Sequence, residues 1–285
     1  MVTQDLHMHT LWDDGSGSAE EMICAAAQRG MTCAGVSVHA PMPFGVWACE
    51  AGRLDAFFEE MRRLRARYAG RIEVYAGAEW DPLSTTALEP FDYVIGAVHH
   101  LQIPRELPPG FPPELAERFG TDYPTVDESA AATARLLRGV FKGDADALAE
   151  AYYAEVKKLG QAARVDIVGH FDLLTKFNEA EKLIDSRSPR YRRAALDALE
   201  TLVQAGKIIE INTGAMARGH RSAPYPDEAL LCALSDMGGR ITFGSDAHCA
   251  QDAAFAFKQA AQLARRCGFA AYWRLTERGF EPEAL

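Results

Sequence analysis

The sequence predicts an α/β chain whose parallel strands close, or nearly close, into a barrel. Two observations carry this. Short β-rich apolar runs alternate with longer stretches of helical periodicity, and seven such runs fit within the 285 residues. Parallel strands joined through helices are buried on both faces, so they read as near-continuous apolar runs. Seven of them in a chain of this length fit a barrel better than an open sheet.

The first run, Val2–Leu6, stops at His7. Ser18-Ala19-Glu20-Glu21 then forms a capping box, and its helix stops at Gly30. The second run, Cys33–Val38, stops at His39. Leu54, Phe57, Phe58, Met61 and Leu64 recur at helical spacing and give one apolar face. Ile72–Ala78 ends at Glu79, and Tyr93–Val98 ends at His99. The segment Gln102–Tyr123 holds Pro104, Pro108, Pro109, Pro112 and Pro113 and reads as a long loop or lid at about 102–123, beside the strand ends. Helices are expected around 126–141 and 145–163. Val165–Gly169 ends at His170. Ser188-Pro189 supplies an N-cap and a proline at the first helical position, and Gly206 stops that helix. Lys207–Ile211 ends at Asn212, a helix is expected around 226–237, and Arg240–Ser245 ends at Asp246. A last helix is expected around 251–267. With no repeat, low-complexity tract or linker, residues 1–285 read as one domain.

Hydrophobic residues at 48% and charged residues at 25% exclude a disordered chain. Forty acidic against thirty basic residues give a net charge of −10, which disfavours a dedicated nucleic-acid binder. A small anionic substrate remains compatible, because ions and a few local cations suffice to hold one. Cys24, Cys33, Cys49, Cys232, Cys249 and Cys267 form no C-x-x-C pair, so a reducing compartment is expected. Met1–Leu11 lacks a leader pattern and no apolar run approaches a membrane span, so the expectation is a cytoplasmic chain with no membrane partner. No heptad signals an oligomer.

Eight histidines occur in the chain, yet His7, His39, His99 and His170 each sit where a different apolar run stops. Two further runs stop at Glu79 and Asp246, with His248 just beyond. The C-terminal ends of parallel barrel strands converge on one face, so these residues are predicted to meet. In His7-Met8-His9 and Asp246-Ala247-His248, alternate residues of an extended segment point to one side. Imidazole and carboxylate together suit zinc, manganese or iron.

At these residues the chain resembles the PHP superfamily, named for polymerase and histidinol phosphatase. The resemblance runs through Asp5-Leu6-His7-Met8-His9-Thr10, His39-Ala40-Pro41, Gly77-Ala78-Glu79 and Val94-Ile95-Gly96-Ala97-Val98-His99. It continues in Asp166-Ile167-Val168-Gly169-His170-Phe171-Asp172-Leu173, Glu210-Ile211-Asn212-Thr213, Pro224-Tyr225-Pro226 and Gly244-Ser245-Asp246-Ala247-His248. The 151–176 and 210–226 blocks are most similar to the PHP-type histidinol-phosphatases. The resemblance implies a distorted, TIM-like (β/α)7 barrel carrying three divalent metal ions, Zn, Mn or Fe. It implies His7, His9, Glu79 and Asp246 around a first ion. A second would sit among Glu79, His99 and His170, with Glu79 bridging, and a third among Asp14, His39 and His248. Many histidinol-phosphatases have His where this chain has Asp14, a position that also suits an Asx turn.

The same resemblance makes Arg218 a phosphate-binding arginine, whose guanidinium fork suits phosphate oxygens. Lys176 is a second candidate for phosphate. Asp246 or His248 is expected to hand a proton to the leaving alkoxide. Asp172 is expected to orient a ligand histidine. His220 and Arg221 are expected at the surface, His100 pointing away from His99, and Trp12 and Phe44 as possible pocket walls. The implied activity is hydrolysis of L-histidinol phosphate to L-histidinol and phosphate, with a small phosphorylated substrate as partner and the oligomeric state left open. The alternatives are a phosphoesterase for nucleotides or other small phosphate esters and, behind it, a non-catalytic metal-binding protein. A nuclease lacks a basic stripe to support it.

Overall fold

A computed structural model describes residues 1–105 and 121–285 of the chain. Most of the expected lid falls on 106–120, outside the described residues. Each of the seven apolar runs becomes a strand: β1 (Gln4–Asp5), β2 (Cys33–His39), β3 (Glu73–Trp80) and β4 (Tyr93–Gly96). After a small antiparallel pair, β5 (Ile103–Pro104) with β6 (Thr121–Asp122), come β7 (Ile167–Val168), β8 (Ile208–Asn212) and β9 (Arg240–Gly244). The main sheet runs β1-β2-β3-β4-β7-β8-β9, parallel throughout.

The sheet curls until β1 and β9 meet, so the barrel is nearly closed. A parallel bridge joins Met8 to Ala247, and the His9 N–H donates to the Ala247 carbonyl at 2.8 Å. Side chains complete this seam. The buried Asp5 carboxylate accepts the Ser245 N–H and hydroxyl and the Ala254 N–H, at 3.0, 2.6 and 2.8 Å. Gln4 Nε2 donates to Thr242 Oγ1 at 2.8 Å. These side-chain bonds stand where ladder bonds would, which is why β1 is shorter than its apolar run. β7 is short because the chain turns at His170, where φ is +21°.

The barrel interior holds Leu6, Cys33, Tyr75, Tyr93, Ile95, Ile167 and Ile208. Tyr93 lies across the floor, over two glycines. A Cβ on Gly35 would come within 2.1 Å of the Tyr93 hydroxyl, and one on Gly77 within 2.1 Å of its ring. The Tyr93 hydroxyl donates to the Leu6 carbonyl.

The outer helices follow the sequence signals. Ser18 caps Ala19–Gln28 through a complete capping box, and Ser188 caps Pro189–Gln204. Gly30 and Gly206 follow these helices with positive φ, which glycine adopts without strain. Leu54–Tyr68, Ala130–Gly139, Ala145–Lys158, Glu228–Asp236 and Phe257–Arg266 are the other long helices. The last begins later than its pattern suggests, because the chain first straps across to Asp5 at Ala254.

An unexpected hairpin, β10 (Ala271–Thr276) with β11 (Gly279–Ala284), follows. It closes the end of the barrel opposite the strand C-termini. Leu275 joins the interior cluster, its N–H donating to Gln4 Oε1 at 2.7 Å, and Trp273 and Phe280 pack beside it.

Candidate metal centre

The C-terminal strand ends deliver eight donor side chains to one place, and a turn adds a ninth. His7 and His9 follow β1, His39 ends β2, Glu79 lies in β3, and His99, His170, Asp246 and His248 lie just past β4, β7 and β9. Asp14 enters from the turn that precedes the first helix.

Glu79 is the hub. Its Oε2 lies 3.3 Å from His7 Nε2, 3.3 Å from His9 Nε2 and 3.1 Å from His39 Nδ1. Its Oε1 lies 2.8 Å from His170 Nε2 and 3.3 Å from His99 Nε2. Burial pushes this carboxyl up, but His39, His7 and His99 outweigh it and hold Glu79 well below the usual carboxylate range. Asp14 Oδ1 sits 3.6 Å from His39 Nε2 and 3.4 Å from His248 Nε2. Asp246 Oδ1 sits 3.6 Å from His9 Nε2 and from His248 Nδ1.

Donor atoms within 4.8 Å of one another form three groups: His7, His9 and Asp246; His7, Glu79 and His170; and His9, Asp14, His39 and His248. His99 stands outside these groups, beside Glu79. The site tests well as a divalent-ion site. The Nε2 atoms of His7 and His9 are fully buried and have no hydrogen-bond partner. Unpaired buried polar atoms are costly, so two aimed at one carboxylate ask for a third party. Burial, opposed by Glu79 and assisted by His9, draws His39 down to about 4, whereas the carboxylates beside His7, His9 and His99 overcome burial and raise those rings.

The backbone is strained where the donors are. His170 and Asp246 have φ of +21° and +51°, unusual for side-chain-bearing residues and frequent at functional sites. Buried carboxylates hold the ligand elements. Glu210 Oε1 lies 2.7 Å from His7 Nδ1, and Asp13 Oδ2 lies 2.7 Å from His9 Nδ1. Asp81 accepts the His99 N–H at 3.0 Å.

A cavity of about 530 Å³ opens above the cluster. Arg218 lines one side, where its Nη1 donates to the Asp246 carbonyl at 2.8 Å and its Nη2 to Asp246 Oδ2 at 3.0 Å. Lys176 lines it too, with Nζ 3.1 Å from Asp127 Oδ2 and 3.0 Å from the Asp127 carbonyl. Trp47, His100, Thr125, Asp127 and Glu128 also line it.

Several expectations are corrected. Asp172 orients no ligand histidine: its Oδ2 accepts the Asp227 N–H at 3.1 Å and faces Arg221 at 3.6 Å. Arg221 is not at the surface. Its side chain is 7% exposed, covers the Tyr225 ring at 4.3 Å and donates to the Ala223 and Pro224 carbonyls, since this buried loop needs a donor. His100 does not turn away from the site. The ladder has ended at Gly96, strand alternation no longer applies, and the ring stacks on Trp47. His220 is half-buried, edge-on to Phe177. Trp12 packs on Phe57 away from the cavity, with Nε1 donating to Glu60 at 2.7 Å. Phe44 is at the rim, beside His100 and stacked on Tyr123. All six cysteines are free, Cys249 among them. Glu210, Asp13, Asp81 and Trp47 were not singled out as site residues from sequence. Asp13 had a signal, its place beside Asp14, and Glu210 sits in a quoted motif.

The PHP domain family model matches residues 5–214, well over half of the chain. The chain belongs to the PHP domain family. This PHP chain is 28% identical over 276 residues to a probable histidinol-phosphatase of Deinococcus radiodurans, covering 93% of each. It is 26% identical over 224 residues to a probable histidinol-phosphatase of Schizosaccharomyces pombe, covering 75% of this chain and 66% of the relative. Among solved structures it resembles a histidinol phosphate phosphatase of Lactococcus lactis complexed with zinc, L-histidinol and phosphate, at a TM-score of 0.70 and 19% identity over 98% of both chains. A putative histidinol phosphatase of Listeria monocytogenes matches at a TM-score of 0.74 and 18% identity, over 90% of this chain and 99% of that one. The PHP barrel is therefore shared along nearly the whole chain. No helix among the described residues is long and apolar enough to cross a membrane.

Proposed function

We propose that the chain hydrolyses L-histidinol phosphate to L-histidinol and phosphate at this centre. It is an enzyme of the histidinol-phosphatase-like, metal-dependent phosphoric ester hydrolase class. The observation that carries the proposal is Glu79, surrounded by five imidazoles directly beneath a cavity that Arg218 lines. The curated relatives named for histidinol phosphate support the choice of substrate. Residues 1–285 act as one phosphoesterase domain in this proposal, since β1 and β9 share the seam that brings His7 to Asp246.

His7, His9, Glu79 and Asp246 would hold one divalent ion; Glu79, His99 and His170 a second; and Asp14, His39 and His248 a third. Zinc, manganese and iron all suit these donors. Bound there, such ions supply positive charge against the phosphate dianion and activate water as the nucleophile. Arg218, fixed by Asp246, offers its guanidinium edge to the phosphoryl oxygens and stabilises the charge they gather. Lys176 approaches from the strand-β7 side as a second cation. Asp246 and His248 stand at the edge of the cluster, where the leaving alkoxide takes its proton. Asp127 and Glu128 provide acceptors for the amine of the organic end, and Trp47 and His100 provide a flat wall for its imidazole.

A second reading, a phosphoesterase for nucleotides or other small phosphate esters, rests on Asp14. Its Oδ1 faces both His39 and His248, which supports an aspartate as the donor at this position. The deciding experiment is phosphate release from L-histidinol phosphate, nucleoside monophosphates, a dinucleotide and an aryl phosphate, after loading with Mn, Zn or Fe(II) separately. A lead in kcat/KM of orders of magnitude for histidinol phosphate is expected. A lead for a nucleotide selects the second reading.

A further inference from the structure

We propose that Glu210 and Asp13 are positioning residues, each coupling two candidate ion positions through one imidazole and one backbone amide. This rests on the metal-centre reading above.

The two carboxylates repeat one arrangement. Glu210, on β8, places Oε1 2.7 Å from His7 Nδ1 and accepts the His170 backbone N–H on Oε2 at 3.0 Å. Asp13 places Oδ2 2.7 Å from His9 Nδ1 and accepts the His39 backbone N–H on the same oxygen at 2.9 Å. Its Oδ1 takes the Thr10 N–H at 2.9 Å, which fixes the carboxylate's orientation. Asn212 Nδ2 does the same for Glu210 at 2.9 Å. Both carboxylates are buried, with side chains 1% and 0% exposed.

The imidazole limb sets a tautomer. An ionised carboxylate only accepts, so each ring places a proton on Nδ1 to meet it. In the neutral ring, Nε2 then carries a lone pair. Those are the two Nε2 atoms that are buried without a partner. A lone pair held toward the centre is the form a divalent ion takes, and a carboxylate behind the ring fixes its direction.

The backbone limb sets a second ligand. The His170 amide belongs to a strained turn, at φ +21°, and Glu210 is the acceptor that holds it. Displacing Glu210 therefore disturbs His7 and His170, which share one donor group with Glu79. Displacing Asp13 disturbs His9 and His39, which share another with Asp14 and His248. Because His9 also belongs with His7 and Asp246, each carboxylate reaches more than one ion position. The backbone makes room for the larger strut. A Cβ on Gly244 would sit 1.9 Å from Glu210 Oε1, and one on Gly169 would sit 3.4 Å from Oε2.

The test counts ions rather than turnover. Wild-type chain, Glu210→Gln and Asp13→Asn are stripped with chelator, titrated with Zn(II) or Mn(II), desalted and assayed for bound metal. Each variant is expected to lose roughly 10- to 100-fold in apparent affinity at two ion positions while unfolding like the stripped wild type. Loss at a single position, or loading equal to wild type in both variants, overturns the coupling. A second measurement needs no variant: the ¹⁵N shifts of His7 and His9 in the zinc-loaded wild-type chain. A proton on Nδ1 and none on Nε2 is expected, and the opposite arrangement overturns the proposal. A wild-type chain that takes up no divalent ion overturns the metal-centre reading itself, and this inference with it.

Discussion

Arg218 grips Asp246 at two points, the backbone carbonyl at 2.8 Å and the carboxylate at 3.0 Å. The first contact braces a residue whose φ is +51°, and the second keeps the guanidinium beside the cluster. Gly214 makes the pair possible, since a Cβ there would meet Asp246 Oδ2 at 2.7 Å and Arg218 Nη2 at 2.9 Å. Arg218→Ala is expected to lower kcat/KM for phosphomonoesters by roughly 100-fold or more. Arg218→Lys is expected to recover only part of this, because an ammonium cannot span both contacts. Steady-state kinetics on histidinol phosphate, with metal content measured alongside, checks it.

Glu79→Ala removes the one carboxylate that all five imidazoles face. Activity is expected to fall at least about 1000-fold, in line with the several kcal/mol that metal charge contributes to such reactions. Bound metal is expected to fall in the same preparation. Near-wild-type turnover with metals counted would falsify the hub assignment.

Stripping the ions is expected to lower Tm. A ligand present at about 1000 times its Kd stabilises the folded state by about 4 kcal/mol, which for a chain of this size is a shift of roughly 10 °C. Differential scanning calorimetry before and after chelation, and after adding back Zn(II) or Mn(II), reads it. Recovery of Tm on addition is expected, and an unchanged Tm on stripping counts against a built ion site.

Gly77→Ala tests the barrel floor rather than the site. Its Cβ would overlap the Tyr93 ring, so a loss of roughly 2–4 kcal/mol is expected in urea unfolding. Gly35→Ala meets the same ring and is expected to behave alike.

The cysteines give a pH-dependent prediction. Burial, and then Asp13, push the Cys49 thiol up to about 11. A raised thiol pKa moves thiolate formation to higher pH, so only about one molecule in a thousand is reactive there at pH 8. Alkylation of the native protein at pH 8 is expected to mark the half-buried Cys24, Cys232 and Cys249 and to spare Cys49 and the fully buried Cys33. Labelling of Cys49 is expected to accelerate about 100-fold between pH 8 and pH 10, as mass spectrometry of the alkylated peptides would record.

The seven strands were legible because parallel strands covered on both faces need nearly unbroken apolar runs. The donors were legible because polar residues cannot continue such a run, so His39 or Glu79 at its end stands out. Orientation was not legible. Asp13 and Asp14 are chemically identical neighbours, yet one is buried behind His9 and the other opens toward His39 and His248. Only the turn that carries them decides which is which. Glu210 was hidden because it sits within an apolar run, where a lone carboxylate has no partner in sequence. Arg221 looked like a surface cation because its partners, the Tyr225 face and two loop carbonyls, appear only when the loop folds back. The C-terminal hairpin was missed because neither strand is an unbroken apolar run: Arg274 interrupts the first, and Glu281, Pro282 and Glu283 fill most of the second.

The seam between β1 and β9 also sets an order of events during synthesis. A chain extended only as far as Arg218 already carries His7, His39, Glu79, His99 and His170, but it has no strand to lay against β1 and no Asp246 to hold that arginine. Joining residue 8 to residue 247 closes a loop of nearly the entire polypeptide. The entropic cost of such a loop grows only slowly with length, but no shorter contact can stand in for it. An ion-filled centre is thus a late product of translation, and a nascent chain stalled before Asp246 emerges from the ribosome with an open barrel and an unfinished catalyst.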